Sequence, residues 1–102
     1  MKLSITAELL EREVEIDGEI RAVYGLASLH TNPRRIGLGR LIMEWSEDMA
    51  KKNGKYCVVG FALPETFKNF DAKCGWVNSG EYEGRVLTTS MPVKHIVVNE
   101  RW

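Results

Sequence analysis

The chain has 102 residues, enough for one domain with a modest core. Hydrophobic residues make up 44% and charged residues 27%, a balance that excludes a disordered chain. Fourteen basic side chains offset fourteen acidic ones, so no global field draws the protein to nucleic acid or to a membrane.

Arg34, Arg35 and Arg40 still form a local basic patch. No apolar run is long enough to span a bilayer, and Met1 to Thr6 lacks the apolar core of a signal peptide. A cytoplasmic protein is expected. Cys57 and Cys74 have neither metal-ligand spacing nor a secretory setting, and are read as reduced and packed. His30 and His95 lie far apart without paired ligands, which makes no case for a metal.

Residues Glu11 to Ile16 alternate, and Asp17-Gly18 after them is a favoured two-residue hairpin turn. A second strand is expected from about Ile20 to His30, with Gly25 marking a bulge or a close backbone approach. A loop, Thr31 to Ile36, leads to Gly37-Leu38-Gly39. A helix is expected from there to Lys52. Leu38, Leu41, Ile42, Trp45 and Met49 make its apolar stripe, and Glu44, Glu47 and Asp48 its other face. Asn53-Gly54 stops it. Tyr56 to Leu63 reads as a buried strand, and Pro64 opens a short helix to about Lys73, closed by Cys74-Gly75-Trp76. Trp76 to Tyr82 and Arg85 to Val93 are strand candidates about Glu83-Gly84. The tail from His95 to Trp102 is a further strand or a packing arm. No repeat or linker divides the chain. The expected architecture is a single α+β domain, 1–102, with a mixed, mostly antiparallel sheet and two helices.

The segment Arg34-Arg35-Ile36-Gly37-Leu38-Gly39-Arg40 carries the chemistry. Amides at a helix start point outward with partial positive charge. Glycines 37 and 39 let backbone approach a phosphate without a Cβ in the way. Arg35 and Arg40 can add charge-assisted bonds to phosphate oxygens. A P-loop would end in Gly-Lys-Ser/Thr, and Gly39-Arg40-Leu41 does not. A dinucleotide loop would place a third glycine at position 42, where Ile42 stands. A glycine-rich turn that merely caps the helix is the plain alternative.

Arg-x-x-Gly-x-Gly between a strand and an amphipathic helix resembles the acetyl-CoA signature of the GNAT N-acetyltransferases, matched at Arg34 to Gly39. Phe70-Asp71-Ala72-Lys73-Cys74-Gly75-Trp76 is similar to the family's later aromatic-Tyr-x-x-x-Gly-aromatic pattern. The Glu13-Val14-Glu15-Ile16-Asp17-Gly18 hairpin and the Gly75-Trp76 ending resemble the aminoglycoside 2'-N-acetyltransferase branch. The likeness covers roughly residues 8 to 93. It implies acetyl-CoA as co-substrate, an amine acceptor on a small molecule or protein, and direct acetyl transfer. It implies that acetyl-CoA is held by the backbone at Leu29 and Thr31, with its pyrophosphate on Arg34, Arg35, Gly37, Leu38, Gly39 and Arg40.

Three departures matter. Asp71 stands where many members have a tyrosine that protonates the departing thiolate; an aspartate is ionised at neutral pH unless its site raises the pKa, and otherwise is a solvent-exposed helix-end carboxylate. Tyr24 and His30 are other possible proton carriers, with structural roles as the plainer reading. Pro64 and Phe67 occupy slots where the family has a pantetheine-binding asparagine and a small alanine. The family also opens with a strand and two helices that this chain lacks, so a sheet edge is expected to be bare and covered by homodimerisation, or by a short element from Met1 to Leu10. Glu8, Glu11, Glu13 and Glu15 could attract a cationic acceptor, or form a solvated strand face. The competing function is a module that keeps the coenzyme A cradle, or only the fold, without turnover.

Overall fold

A computed structural model describes residues 4–32 and 38–102. Strands β1 (Ser4–Ile16) and β2 (Glu19–Asn32) form one long hairpin. Asp17 and Gly18 turn it with φ of 51° and 84°, the left-handed pair that a type I′ turn needs. Residues 4–10 thus belong to β1 and not to a separate short element. Adjacent Leu9 and Leu10 interrupt the alternation that marks a strand. They are tolerated because successive side chains go to opposite faces, and both faces are covered here.

Helix α1 (Leu38–Lys52) follows, then β3 (Val58–Ala62). The next helical run changes pitch along its length. It opens as α2 (Pro64–Thr66), widens to a π turn (Phe67–Asp71) and tightens to a 3₁₀ turn (Ala72–Cys74). Strands β4 (Val77–Tyr82), β5 (Arg85–Thr89) and β6 (Ile96–Val97) complete the order. Both α1 and the 3₁₀ turn end at left-handed glycines. Lys55 N–H donates to Ala50 O and Trp76 N–H to Asp71 O, which satisfies carbonyls the helices would leave open.

The six strands make one mixed sheet in the order β4-β5-β3-β2-β1-β6. Every neighbouring pair is antiparallel except β2 and β3. The tail is both a strand and a packing arm. Its β6 pairs with Glu15 and Ile16 of β1, and Asp17 fixes the entry by accepting the Lys94 and His95 N–H groups at 3.1 and 2.8 Å.

Two clusters fill the two faces. Val14, Ile16, Val23, Cys57, Val59, Leu87 and Ile96 lie under the tail, with Phe61, Val98 and Trp102 beside them. Tyr24, Met43, Ala50, Val58 and Trp76 lie under the helices. The stripe α1 buries is rotated from the expected one. Ile42, Met43, Ser46 and Ala50 face the sheet, while Leu41 and Trp45 are 57% and 43% exposed. Ser46 is a polar residue that periodicity does not count. It is fully buried because its hydroxyl bonds the Met43 carbonyl at 2.8 Å.

Candidate functional site

The parallel contact between β2 and β3 is short. Only Tyr24–Val58 and Gly25–Val59 pair. Beyond them β2 runs on to Asn32 against β1 alone, and β3 runs on to Ala62 against β5 alone. Among the described residues no ladder pair joins the two strands past that point. Their inner edges therefore present backbone N–H and C=O groups that no strand satisfies. An irregularity in β2 follows a few residues past the last ladder pair. Thr6 pairs with His30 and Glu8 with Ala27, so one β1 residue faces two of β2, at positions 28 and 29. A bulge there bends the strand and re-aims its backbone groups.

Leu29 and Thr31 lie on this parted stretch of β2, and Leu38, Gly39 and Arg40 form the first turn of α1. Arg34, Arg35 and Gly37 lie outside the described residues. The described parts of the expected cradle thus come from the end of β2 and the start of α1. Arg40 is exposed and donates from one guanidinium nitrogen to the Lys73 carbonyl at 3.1 Å, tying the α1 start to the end of the second helical run.

Gly39 has a packing reason to be glycine. A Cβ there would stand 2.8 Å from the Phe70 ring, so the aromatic occupies the space the side chain would take. Gly60 plays a related part beside the parting. A Cβ on it would meet the Thr88 methyl at 3.3 Å.

Asp71 is not the exposed helix-end carboxylate expected of a polar residue near a helix terminus. It is 5% exposed. The π turn adds a residue to the helical repeat and carries Asp71 beneath β5, where Thr88 lies. Burial pushes its carboxyl above the ordinary aspartate range; the neighbouring Thr88 hydroxyl and its own backbone N–H hold the rise back. Among the described residues Thr88 Oγ1 is buried without a regular hydrogen bond, so its hold on the carboxyl is weak. Thr88 pairs with Gly60, the residue after the last β2–β3 pair. Asp71 thus lies beside Thr88, whose ladder partner Gly60 follows the last β2–β3 pair, and has little access to solvent.

A second polar contact, half-buried, joins α1 to Trp76. Burial pushes the Glu47 carboxyl up, with the Trp76 indole opposing the rise, although among the described residues Trp76 Nε1 also lacks a regular hydrogen bond. Cys57 is buried, and that pushes its thiol up to about 12, which makes it inert rather than nucleophilic. Cys74 is half-buried and shifted upward for the same reason.

Tyr24 has a structural role. It is buried, and its hydroxyl accepts from Asn53 Nδ2 at 2.9 Å, which ties β2 to the α1 stop. Pro64 begins α2, and Phe67 is half-buried at the start of the π turn. The acidic residues of β1 do not make one patch. Glu11, Glu13 and Glu15 share a face, Glu8 takes the other, and Lys55 bridges Glu11 at 2.8 Å. Sequence reasoning missed Thr88, and it named Phe70 only as the aromatic ahead of Gly75, not as the neighbour of Gly39. Gly39 and Gly60, as positions without a Cβ, were the only signals that something packs there.

No family model, curated protein or solved structure matches the chain.

Proposed function

We propose that the chain is an acetyl-CoA-dependent N-acetyltransferase of the GNAT type, acting on a primary amine. The observation that carries this reading is the parting of β2 and β3 just past Gly25 and Val59, with the bulged end of β2 leading toward the α1 start. Two parted parallel edges offer unpaired amides and carbonyls to an extended ligand that itself contains amides, as a pantetheine arm does. In this reading the backbone at Leu29 and Thr31 receives that arm. Arg34, Arg35, Gly37, Leu38, Gly39 and Arg40 receive the pyrophosphate.

Acetyl-CoA supplies the activated acyl group; transfer forms a carbon–nitrogen bond to the amine, whose nitrogen gives up one proton to solvent, and breaks the carbon–sulfur bond. The leaving thiolate needs a proton. Burial moves Asp71 toward its protonated form, the form a general acid must have. The carboxyl lies behind Thr88, so the proton passes through that hydroxyl to the apex of the gap.

The second reading, a module that binds coenzyme A without turnover, has an observation of its own. Asp71 is enclosed beneath β5, and Phe70 fills the space at Gly39. Mass spectrometry of a polyamine incubated with the protein and acetyl-CoA separates the two. Acetylated product that disappears with Asp71→Asn supports transfer. Cofactor binding without product selects the module.

A further inference from the structure

Between Ser4 and Val14 the outer edge of β1 meets no other strand among the described residues; β6 pairs only with Glu15 and Ile16. An open edge of that length is a template for another strand. Asp17 shows which groups face outward, because its N–H donates to His95 O on the β6 side. Along a strand this sense alternates, so the odd-numbered residues of β1 turn their N–H and C=O groups to the open edge. The Glu11 carbonyl is one of them, and it accepts from Arg12 Nη1 at 2.8 Å.

We propose that two copies of this chain join edge to edge through β1, antiparallel about a two-fold axis at Leu10. Charge selects that register. Centred on Leu10, Glu8 of each copy opposes Arg12 of the other, and Leu10 opposes Leu10. These are non-hydrogen-bonded pairs, in which side chains stand closest. Centred on Leu9, Glu8 would face Leu10 and Arg12 would face Thr6, with no charge paired. Centred on Glu11 or Arg12, like charges would oppose each other directly. The Leu10 register spans Thr6 to Val14 and so ends where β6 begins.

Within it Leu9 opposes Glu11, and Ala7 opposes Glu13, through their outward backbone groups. Each such pair exchanges two hydrogen bonds, about eight across the seam. Arg12 gives up the Glu11 carbonyl to the N–H of Leu9 in the second copy and turns to Glu8. Among the described residues its buried Nε meets no hydrogen-bond partner, so that turn breaks no other bond of the guanidinium. Lys55 already holds the Glu11 carboxylate and limits repulsion on the other face.

Helix α1 lies over β1 and β2. Glu47 on one of its flanks faces Trp76. Helical spacing sets Leu41 and Trp45 on the other flank, away from Trp76, and both are exposed. A two-fold axis perpendicular to the sheet sets both α1 helices on the same side of the joined sheets. Those apolar side chains then border the seam, where Leu9 is half-buried. No cofactor is needed for this pairing.

The test is sedimentation of the whole chain, with the single variants Glu8→Arg and Arg12→Glu and the double swap. A wild-type dimer is expected, weakened about tenfold or more by each single reversal and recovered by the double swap. A second test is cysteine pairing. Cys at position 10 would lie across the axis from its copy, at the short Cα separation a disulfide accepts, whereas Cys at position 9 would face Glu11. Leu10→Cys should oxidise to a covalent dimer, and Leu9→Cys should not. A wild-type monomer at high concentration overturns the proposal. A dimer indifferent to both the charge swaps and the position of the cysteine does the same.

Discussion

Trp102 sits in the space that Gly25 leaves open. A Cβ on Gly25 would stand 2.5 Å from the indole Nε1. The same indole meets the Phe61 ring edge-on at 4.8 Å, and Phe61 meets Tyr82 at 5.6 Å. Gly25 is also the last β2 residue paired with β3. The tail therefore covers the sheet at the point where the two strands separate, on the face opposite the helices.

Gly25→Ala should expel the indole. Overpacking of this kind costs about 1–3 kcal/mol unless the ring swings clear. Near-ultraviolet circular dichroism should lose aromatic signal, and the urea midpoint should fall. An unchanged aromatic spectrum would mean that Trp102 does not rest on Gly25.

The tail has a second anchor at Asp17, whose carboxylate accepts two backbone N–H groups at Lys94 and His95. Asp17→Ala should cost about 1 kcal/mol, because two exposed N–H donors lose their shared acceptor and the left-handed φ of 51° suits aspartate better than alanine. Hydrogen exchange should accelerate at Ile96 and Val97 before it does elsewhere in the sheet.

Gly39 and Phe70 should be energetically coupled. Gly39→Ala forces the ring away, at a cost of about 1–3 kcal/mol. The same change in a Phe70→Ala background should cost much less, since the obstructing ring is gone. Denaturant melts of the four proteins measure the coupling, and additive losses would contradict the contact.

Asp71 should make stability depend on pH with the opposite sign to a salt-bridged aspartate. Its folded pKa lies above the ordinary 3.8, so between the two values the native state holds a proton the unfolded state has released. Stability contributed by the protonated carboxyl is full below about 3.8 and is lost as pH rises through the folded value. Asp71→Asn removes that loss. The variant should be the more stable protein at neutral pH, with the gap closing as pH falls below 4 or so. A wild-type protein more stable than Asp71→Asn at neutral pH would show a carboxylate held by a partner instead.

Much of the fold is legible in single residues. Asp17-Gly18, Asn53-Gly54 and Gly75 each announce a left-handed turn, and each supplies one. Gly25 announces a close approach without saying what approaches, because Trp102 is remote in sequence. The helix stripe misled for a reason that spacing cannot reveal. Leu41 and Trp45 sit at allowed intervals, but Ser46, satisfied by its own helix, permits α1 to rotate and bury Met43 instead. Asp71 misled because its burial depends on the wide π turn, and neither its polarity nor its place near a helix end signals that. The described part of the site rests on the separation of two strands, a relation between distant segments that no local pattern encodes.

Isothermal titration of the wild-type chain with acetyl-CoA, free coenzyme A and ATP, repeated with Gly37→Glu, bears most directly on the acetyl-CoA reading. Binding of acetyl-CoA and coenzyme A in preference to ATP, abolished by the added side chain and charge at position 37, is the predicted result. Equal binding of all three, no binding by a folded protein, or unchanged affinity in the variant would contradict it.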